Sequence, residues 1–223
     1  MKNGLDIIDE VGDNHLMTSV DTPMRSDAFE LSDEEKIAEI EVHFEKIMHT
    51  LGLDLTDDSL KGTPHRVAKM YVNEIFGGLN PEKAPQASTF DNKYNYTEML
   101  VEKDITVYST CEHHFLPIVG KAHVAYFSEG KVIGLSKMNR IVDYYARRPQ
   151  VQERLTMQVV KHLQKYLGTD DVACVIDAKH LCVNSRGIKD IQSSTVTSEF
   201  GGKFKETEVR KEFLSYLQMK VNL

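Results

Sequence analysis

Cysteine is scarce in this chain: three in 223 residues, an odd number. A disulfide framework needs pairs, so reduced thiols acting as metal ligands fit better, with Cys174 assigned to the core. An excess of positive charge is missing as well. Lys and Arg number 27 against 34 Asp and Glu, a net charge of -7. That argues against a nucleic-acid surface, which calls for a basic patch, and an anionic ligand would need locally placed cations. No apolar run approaches the roughly 20 residues that span a bilayer. The start, Met1-Lys2-Asn3-Gly4-Leu5-Asp6, turns acidic without the apolar stretch of a signal peptide. A cytoplasmic protein with neither membrane nor nucleic-acid partner is expected. Repeats and low-complexity tracts are lacking too. With 41% hydrophobic residues, the chain is long enough to bury a core without staples.

What stands out instead is Cys111-Glu112-His113-His114-Phe115, followed some distance on by His180-Leu181-Cys182. The Cys-x-x-His spacing lets the Cys111 thiolate and the His114 imidazole reach one metal ion from a single turn, and Cys182 supplies a third ligand. Three protein ligands leave a tetrahedral position for water, as catalytic zinc requires. His113 and His180 lie beside these ligands as proton-transfer groups. Cysteine is often only a small buried hydrophobe, and a lone Cys-x-x-His arises by chance. The second cluster tips the balance, because His180 and Cys182 share a parity on an expected strand and so face the same way.

Residues 1–31 are polar and acidic without sustained periodicity, and read as an arm. Ser32-Asp33-Glu34-Glu35 has the form of a capping box, and Ile37, Ile40, Phe44, Ile47, Met48 and Leu51 follow at helical spacing up to Gly52. A second helix starts at Thr63-Pro64 and stops at Gly77-Gly78; His65, Arg66 and Lys69 in its first turns read, on their own, as a solvated face. Period-two alternation of Met99, Val101, Ile105 and Val107 gives a first strand, and residues 116–127 an antiparallel second. Gly134-Leu135-Ser136 introduces a helix through Ala146. Pro149 separates it from another striped by Val151, Leu155, Val159 and Leu163, and the short joint implies antiparallel helices. Residues 171–183 form a third strand, 193–200 a weaker fourth, and Val209, Phe213 and Leu217 a last helix. The fold class expected is α+β: an antiparallel four-stranded sheet with two antiparallel helices on one face, preceded by a helical N-terminal region. The organisation is an arm over 1–31, a helical region over 32–95 and a catalytic domain over 96–223. The sheet's open edges and bare face call for burial, and pairing into a closed ring of subunits is one solution.

Ser136 is an N-cap candidate for the third helix, with Lys137 and Arg140 one turn apart beside it, an arrangement suited to a phosphate chain. A plain cap with surface charges is the alternative, against which stand the further cations Arg186 and Lys189 close to Cys182 in an acidic protein. Glu153, near the start of the fourth helix, either complements the helix dipole or holds a base edge.

These motifs together resemble GTP cyclohydrolase I. Cys111-Glu112-His113-His114-Phe115, Gly134-Leu135-Ser136-Lys137, Asn139-Arg140-Ile141, the run Arg148-Pro149-Gln150-Val151-Gln152-Glu153-Arg154-Leu155, His180-Leu181-Cys182 and Arg186-Gly187 carry the resemblance, together with Thr63-Pro64-His65-Arg66-Val67-Ala68. It covers roughly residues 32–223 in order and spacing. The arm carries no family motif, and Val183 stands where Met is commoner. The resemblance implies a tunnelling fold, with sheets joined into a barrel of five subunits, two such rings stacked into a homodecamer, and active sites between subunits. It implies conversion of GTP and water to 7,8-dihydroneopterin triphosphate and formate, the first step of folate and pterin biosynthesis. In that scheme Zn2+ on Cys111, His114 and Cys182 activates water for attack at C8 of the purine, His180 handles the proton at N7, and His113 serves ribose opening. Arg66, Lys69, Ser136, Lys137, Arg140 and Arg186 would hold the triphosphate, and Gln152 with Glu153 the guanine.

Two rivals remain at this point. One is a related tunnelling-fold enzyme acting on another pterin or a deazapurine, which formate release from GTP would separate. The other is a non-enzymatic zinc module, which would want a fourth protein ligand and a basic surface.

Overall fold

A computed structural model describes residues 19–86 and 89–220; residues 1–18, and with them most of the expected arm, lie outside the described residues. The N-terminal region is helical. Helix α1 (Asp33–Thr50) opens on the capping box expected at Ser32: Ser32 Oγ accepts from Glu35 N at 3.2 Å, and Ser32 N donates to Glu35 Oε2 at 2.8 Å. Helix α2 (Thr63–Met70) has Pro64 in its first turn, where the missing amide costs nothing. It continues into a π-turn over Tyr71–Ile75 before the glycines.

The sheet that carries the site runs in the order β5 (Pro149–Gln150), β2 (Leu100–Cys111), β3 (Pro117–Tyr126), β6 (Val172–His180) and β7 (Thr195–Phe200). Strand β2 pairs antiparallel with β3, β3 with β6, and β6 with β7. These are the four expected strands. A fifth, β5, adds a short parallel edge, pairing Thr110 with Pro149 and Cys111 with Gln150. It was not expected, since Pro149 read only as a separator of helices. Proline also biases the residue before it towards extended backbone, which lets this joint pair. A separate two-stranded ribbon joins β1 (Thr89–Asp91) to β4 (Lys131–Ile133).

Helices α3 (Leu135–Ala146) and α4 (Gln152–Leu167) cover one face, where Val107, Ile118, Val124, Met138, Ile141, Leu155, Val159 and Ile176 form the main core. The opposite face is not bare. Phe204 and Phe213 from the C-terminal segment, the latter on helix α6 (Thr207–Gln218), pack on Met99, Ala125, Ala173 and Val175. This corrects the expectation of helices on one face alone. Strand β2 contributes to this second cluster through a β-bulge between Glu102 and Ile105, with Asp104 at φ 60°. One inserted residue reverses the alternation, so Met99 and Val101 face this second cluster while Ile105 and Val107 face the main one.

Two local expectations also give way. Strand β6 ends at His180, and Cys182 sits on a one-turn helix, α5 (Leu181–Asn184), not in phase along a strand. Ser185 closes that turn through its amide (2.9 Å) and its hydroxyl (2.6 Å), both donating to Leu181 O. Gly134, not Ser136, is the N-cap of α3, and no side chain caps that helix. Ser136 lies two residues past that position, as the second residue of the helix.

Candidate metal centre and its pocket

Cys111 closes β2, and the chain then folds back so tightly that Cys111 N donates to Leu116 O at 2.8 Å and Phe115 N to Cys111 O at 2.9 Å. Phe115 takes a left-handed φ of 54° in this turn, a backbone state that a bulky side chain adopts only when its surroundings impose it. Glu112 N donates to Gln150 O at 3.0 Å, so β5 pins the turn from the other side. His113 and His114 project from it, and α5 brings Cys182 up from the end of β6.

Ligand atoms of Cys111, His114 and Cys182 all lie within 4.8 Å of one another. A tetrahedral zinc with bonds of about 2.0–2.3 Å holds its ligand atoms roughly 3.4–3.8 Å apart, so small side-chain adjustments suffice. The donor chemistry fits as well. Burial, then the adjoining Cys111 thiol, push Cys182 up to about 11, and a Cys182 thiolate at neutral pH therefore needs a cation beside it. Among the described residues the group has three members and no fourth protein ligand.

A cavity of about 620 Å3 opens on this group, lined by Cys111, His113, His114, Gln152, Glu153, His180 and Cys182, with Ser19, Val20 and Arg154 at its wall. His113 Nδ1 stands 3.7 Å from Cys111 Sγ. His180 Nε2 stands 2.8 Å from Gln152 Oε1, and burial holds its pKa below the ordinary value, the Glu153 carboxylate opposing in part. Glu153 is exposed in the single chain. Arg186 reaches the group through Nη1, 3.0 Å from His114 Nε2.

The other expected anion contacts lie elsewhere. Lys137 and Arg140 line a second cavity, of about 360 Å3, together with Lys83 and Arg147. Arg66 bonds Ser59 O at 3.2 Å and Thr63 Oγ1 at 2.9 Å, both local partners. Lys69 and Ser136 are exposed and line neither cavity. One chain thus unites the metal group, both histidines and the Gln152-Glu153 pair, but of the cations only Arg186.

The sequence assigns Arg154 no role beyond its place in a motif. It forks onto Glu112, with Nη1 to Oε2 at 2.6 Å and Nη2 to Oε1 at 3.2 Å, and its Nε donates to Ser19 O at 2.9 Å. The pair ties the metal turn to the start of α4 and to the segment at Ser19. Its only sequence signal was that each residue lies inside a motif.

The sequence profile of the family described as GTP cyclohydrolase I matches residues 40–218. The chain is 71% identical over 219 residues to the GTP cyclohydrolase 1 of Flavobacterium johnsoniae, covering 98% of each chain. Over 200 residues it is 54% identical to the GTP cyclohydrolase 1 of Aeromonas salmonicida and 55% identical to that of Vibrio parahaemolyticus, covering 89% of this chain and 91% of each relative.

Proposed function

The chain belongs to the GTP cyclohydrolase I family and is an enzyme of that kind, and from this premise we propose that it converts GTP and water to 7,8-dihydroneopterin triphosphate and formate on a zinc ion held by Cys111, His114 and Cys182. One observation carries the reading: a single cavity gathers two thiols and an imidazole within ligand distance, two further histidines and a carboxylate at a helix start. When bound, zinc would supply Lewis-acid activation of the water that the hydrolysis consumes.

The chain's own groups divide the remaining work. Glu153 accepts from the N1-H and 2-amino group of guanine and so orients the purine. His180 exchanges a proton with the ring opened at C8, and His113 serves the ribose. Arg186 takes one end of the triphosphate. Arg66, Lys69, Ser136, Lys137 and Arg140 complete the triphosphate site from a neighbouring copy. That division supports an active homo-oligomer with sites between subunits, a decamer of two five-membered rings in the tunnelling fold. We assign residues 1–31 to an arm, 32–95 to the helical region and 96–223 to the catalytic domain, in a cytoplasmic enzyme at the first step of folate and pterin synthesis.

The purified protein should contain about one zinc per chain and release formate from GTP but not measurably from ATP. Adenine presents an acceptor at N1 to the Glu153 carboxylate, and sites built around a substrate donor reject analogues lacking it by roughly 10⁴ to 10⁵. Glu153→Ala should lose most GTP turnover while keeping its zinc. Wild-type protein that binds zinc yet forms no formate from GTP would overturn the reading.

A further inference from the structure

Gln152 is the first residue of α4 and only 1% exposed. Its Nε2 lies 3.0 Å from Ile176 O and 2.8 Å from Thr195 O. Carbonyl oxygens only accept, so that end of the side chain is the amide NH2. The neighbouring hydroxyls agree. Thr156 donates to Gln152 O at 2.8 Å, which leaves it to accept from Thr197 at 2.6 Å and leaves a Thr197 lone pair facing Gln152 Nε2 at 3.2 Å. The other end of the amide, Oε1, therefore points at His180 Nε2, 2.8 Å away. An amide oxygen cannot donate. In the neutral imidazole the proton must sit on Nε2, and the ring's lone pair is on Nδ1.

We propose that Gln152 is a positioning residue which holds His180 as its Nε2-H tautomer, so that Nδ1 is the atom exchanging a proton with the substrate, and that Gln152 does not read the guanine edge. The proposal rests on the reading of His180 as the proton-transfer group. In the step it implies, a proton leaves the substrate and an N–H bond forms at Nδ1. The ring then carries the positive charge, and its Nε2-H bond to Gln152 becomes charge-assisted. Return of the proton from Nδ1 restores the neutral ring. Gln152 has no proton to pass on, so nothing relays beyond it. A base edge could take Gln152 Nε2 only by breaking its bonds to β6 and β7, the same bonds that fix the amide's direction.

The first arm of the test uses the intact zinc-loaded enzyme labelled with 15N at histidine. Solid-state NMR should show His180, identified by the signal missing from His180→Asn, protonated at Nε2 and bare at Nδ1; the opposite tautomer overturns the proposal. The second arm is Gln152→Met. Loss of a partner that orients a metal-ligating side chain costs roughly 10- to 100-fold, and on the same scale for His180 kcat should fall by about that factor. KM for GTP should stay within about threefold, and the preference for GTP over inosine triphosphate, which lacks the 2-amino group, should be unchanged. A raised KM together with loss of that preference would make Gln152 a guanine contact and sink the idea. If Gln152→Met does not fold, the tautomer measurement still decides. Near-normal turnover in His180→Asn would instead refute the proton role of His180, whereas an inactive His180→Asn beside a fully active Gln152→Met would refute only the role given to Gln152.

Discussion

Neighbouring side chains in the metal turn have different partners, and the difference follows from the backbone alone. A Cys-x-x-His spacing brings Cys111 and His114 to one side of a tight turn. His114→Ala should therefore leave the protein nearly free of zinc, while His113→Ala should keep its zinc and lose turnover by about 10²-fold or more. Elemental analysis of both variants checks this, and equal zinc loss would refute it. The closeness of Cys111 and His114 was legible because three residues of chain decide it. The meeting of Cys182 with Cys111 and His114 was legible but not its setting, since strand parity placed it on β6 and the Ser185 bonds instead wind it into a helical turn. The fork from Arg154 to Glu112 was illegible. At 3% and 21% side-chain exposure the pair is held by contacts between residues 42 positions apart, and no local pattern reports such a partnership.

Elements fared differently according to how local their determinants are. The start of α1 could be read because the capping box lies within four residues. Faces of β2 could not, because period two assumes an unbroken pleat and the bulge at Glu102–Ile105 transfers Met99 and Val101 to the opposite side. A further constraint sits at Gly120 in β3, opposite Ala178. A Cβ added there would lie 2.2 Å from Asp177 O and 2.5 Å from Ala178 Cα. Those are backbone atoms of a central strand, which cannot swing aside as a flexible side chain would. Gly120→Ala should force β3 and β6 apart and destabilise the fold by about 1–3 kcal/mol or more. Chemical denaturation measures the change. A variant within about 0.5 kcal/mol of wild type would mean that the two strands yield more easily than close packing allows.

At the scale of the molecule, the chain leaves edges uncovered. Strand β7 ends the sheet, and β5 pairs only with Thr110 and Cys111, so most of the outer edge of β2 has no partner among the described residues. Tyr108 (68% exposed) and Val196 (64%) stand on those two strands. Such edges invite pairing with further copies, and activity should travel in sedimentation with a species much larger than a dimer; a fully active monomer would contradict this. Open edges were foreseeable from strand count, but the acid response of the fold was not, because it depends on where one histidine is buried. His162 on α4 has its Nδ1 2.9 Å from the Tyr145 hydroxyl, and its buried Nε2 has no hydrogen-bond partner among the described residues. Burial, reinforced by Lys165 and Arg148, lowers its pKa from 6.5 to about 4. Above pH 6.5 the ring is neutral in folded and unfolded chains alike, and the fold keeps its full stability. Between 6.5 and about 4 the unfolded chain takes up a proton that the folded one refuses, so stability falls as the pH drops, and below about 4 this contribution levels off. The limit is about 1.4 kcal/mol per pH unit, and screening of the partly exposed ring brings the total loss to roughly 1–2 kcal/mol. His162→Gln should flatten the unfolding free energy across that window while leaving the profile above pH 6.5 unchanged in shape. Parallel profiles for wild type and variant from pH 6.5 to 4 would assign the acid sensitivity to other groups.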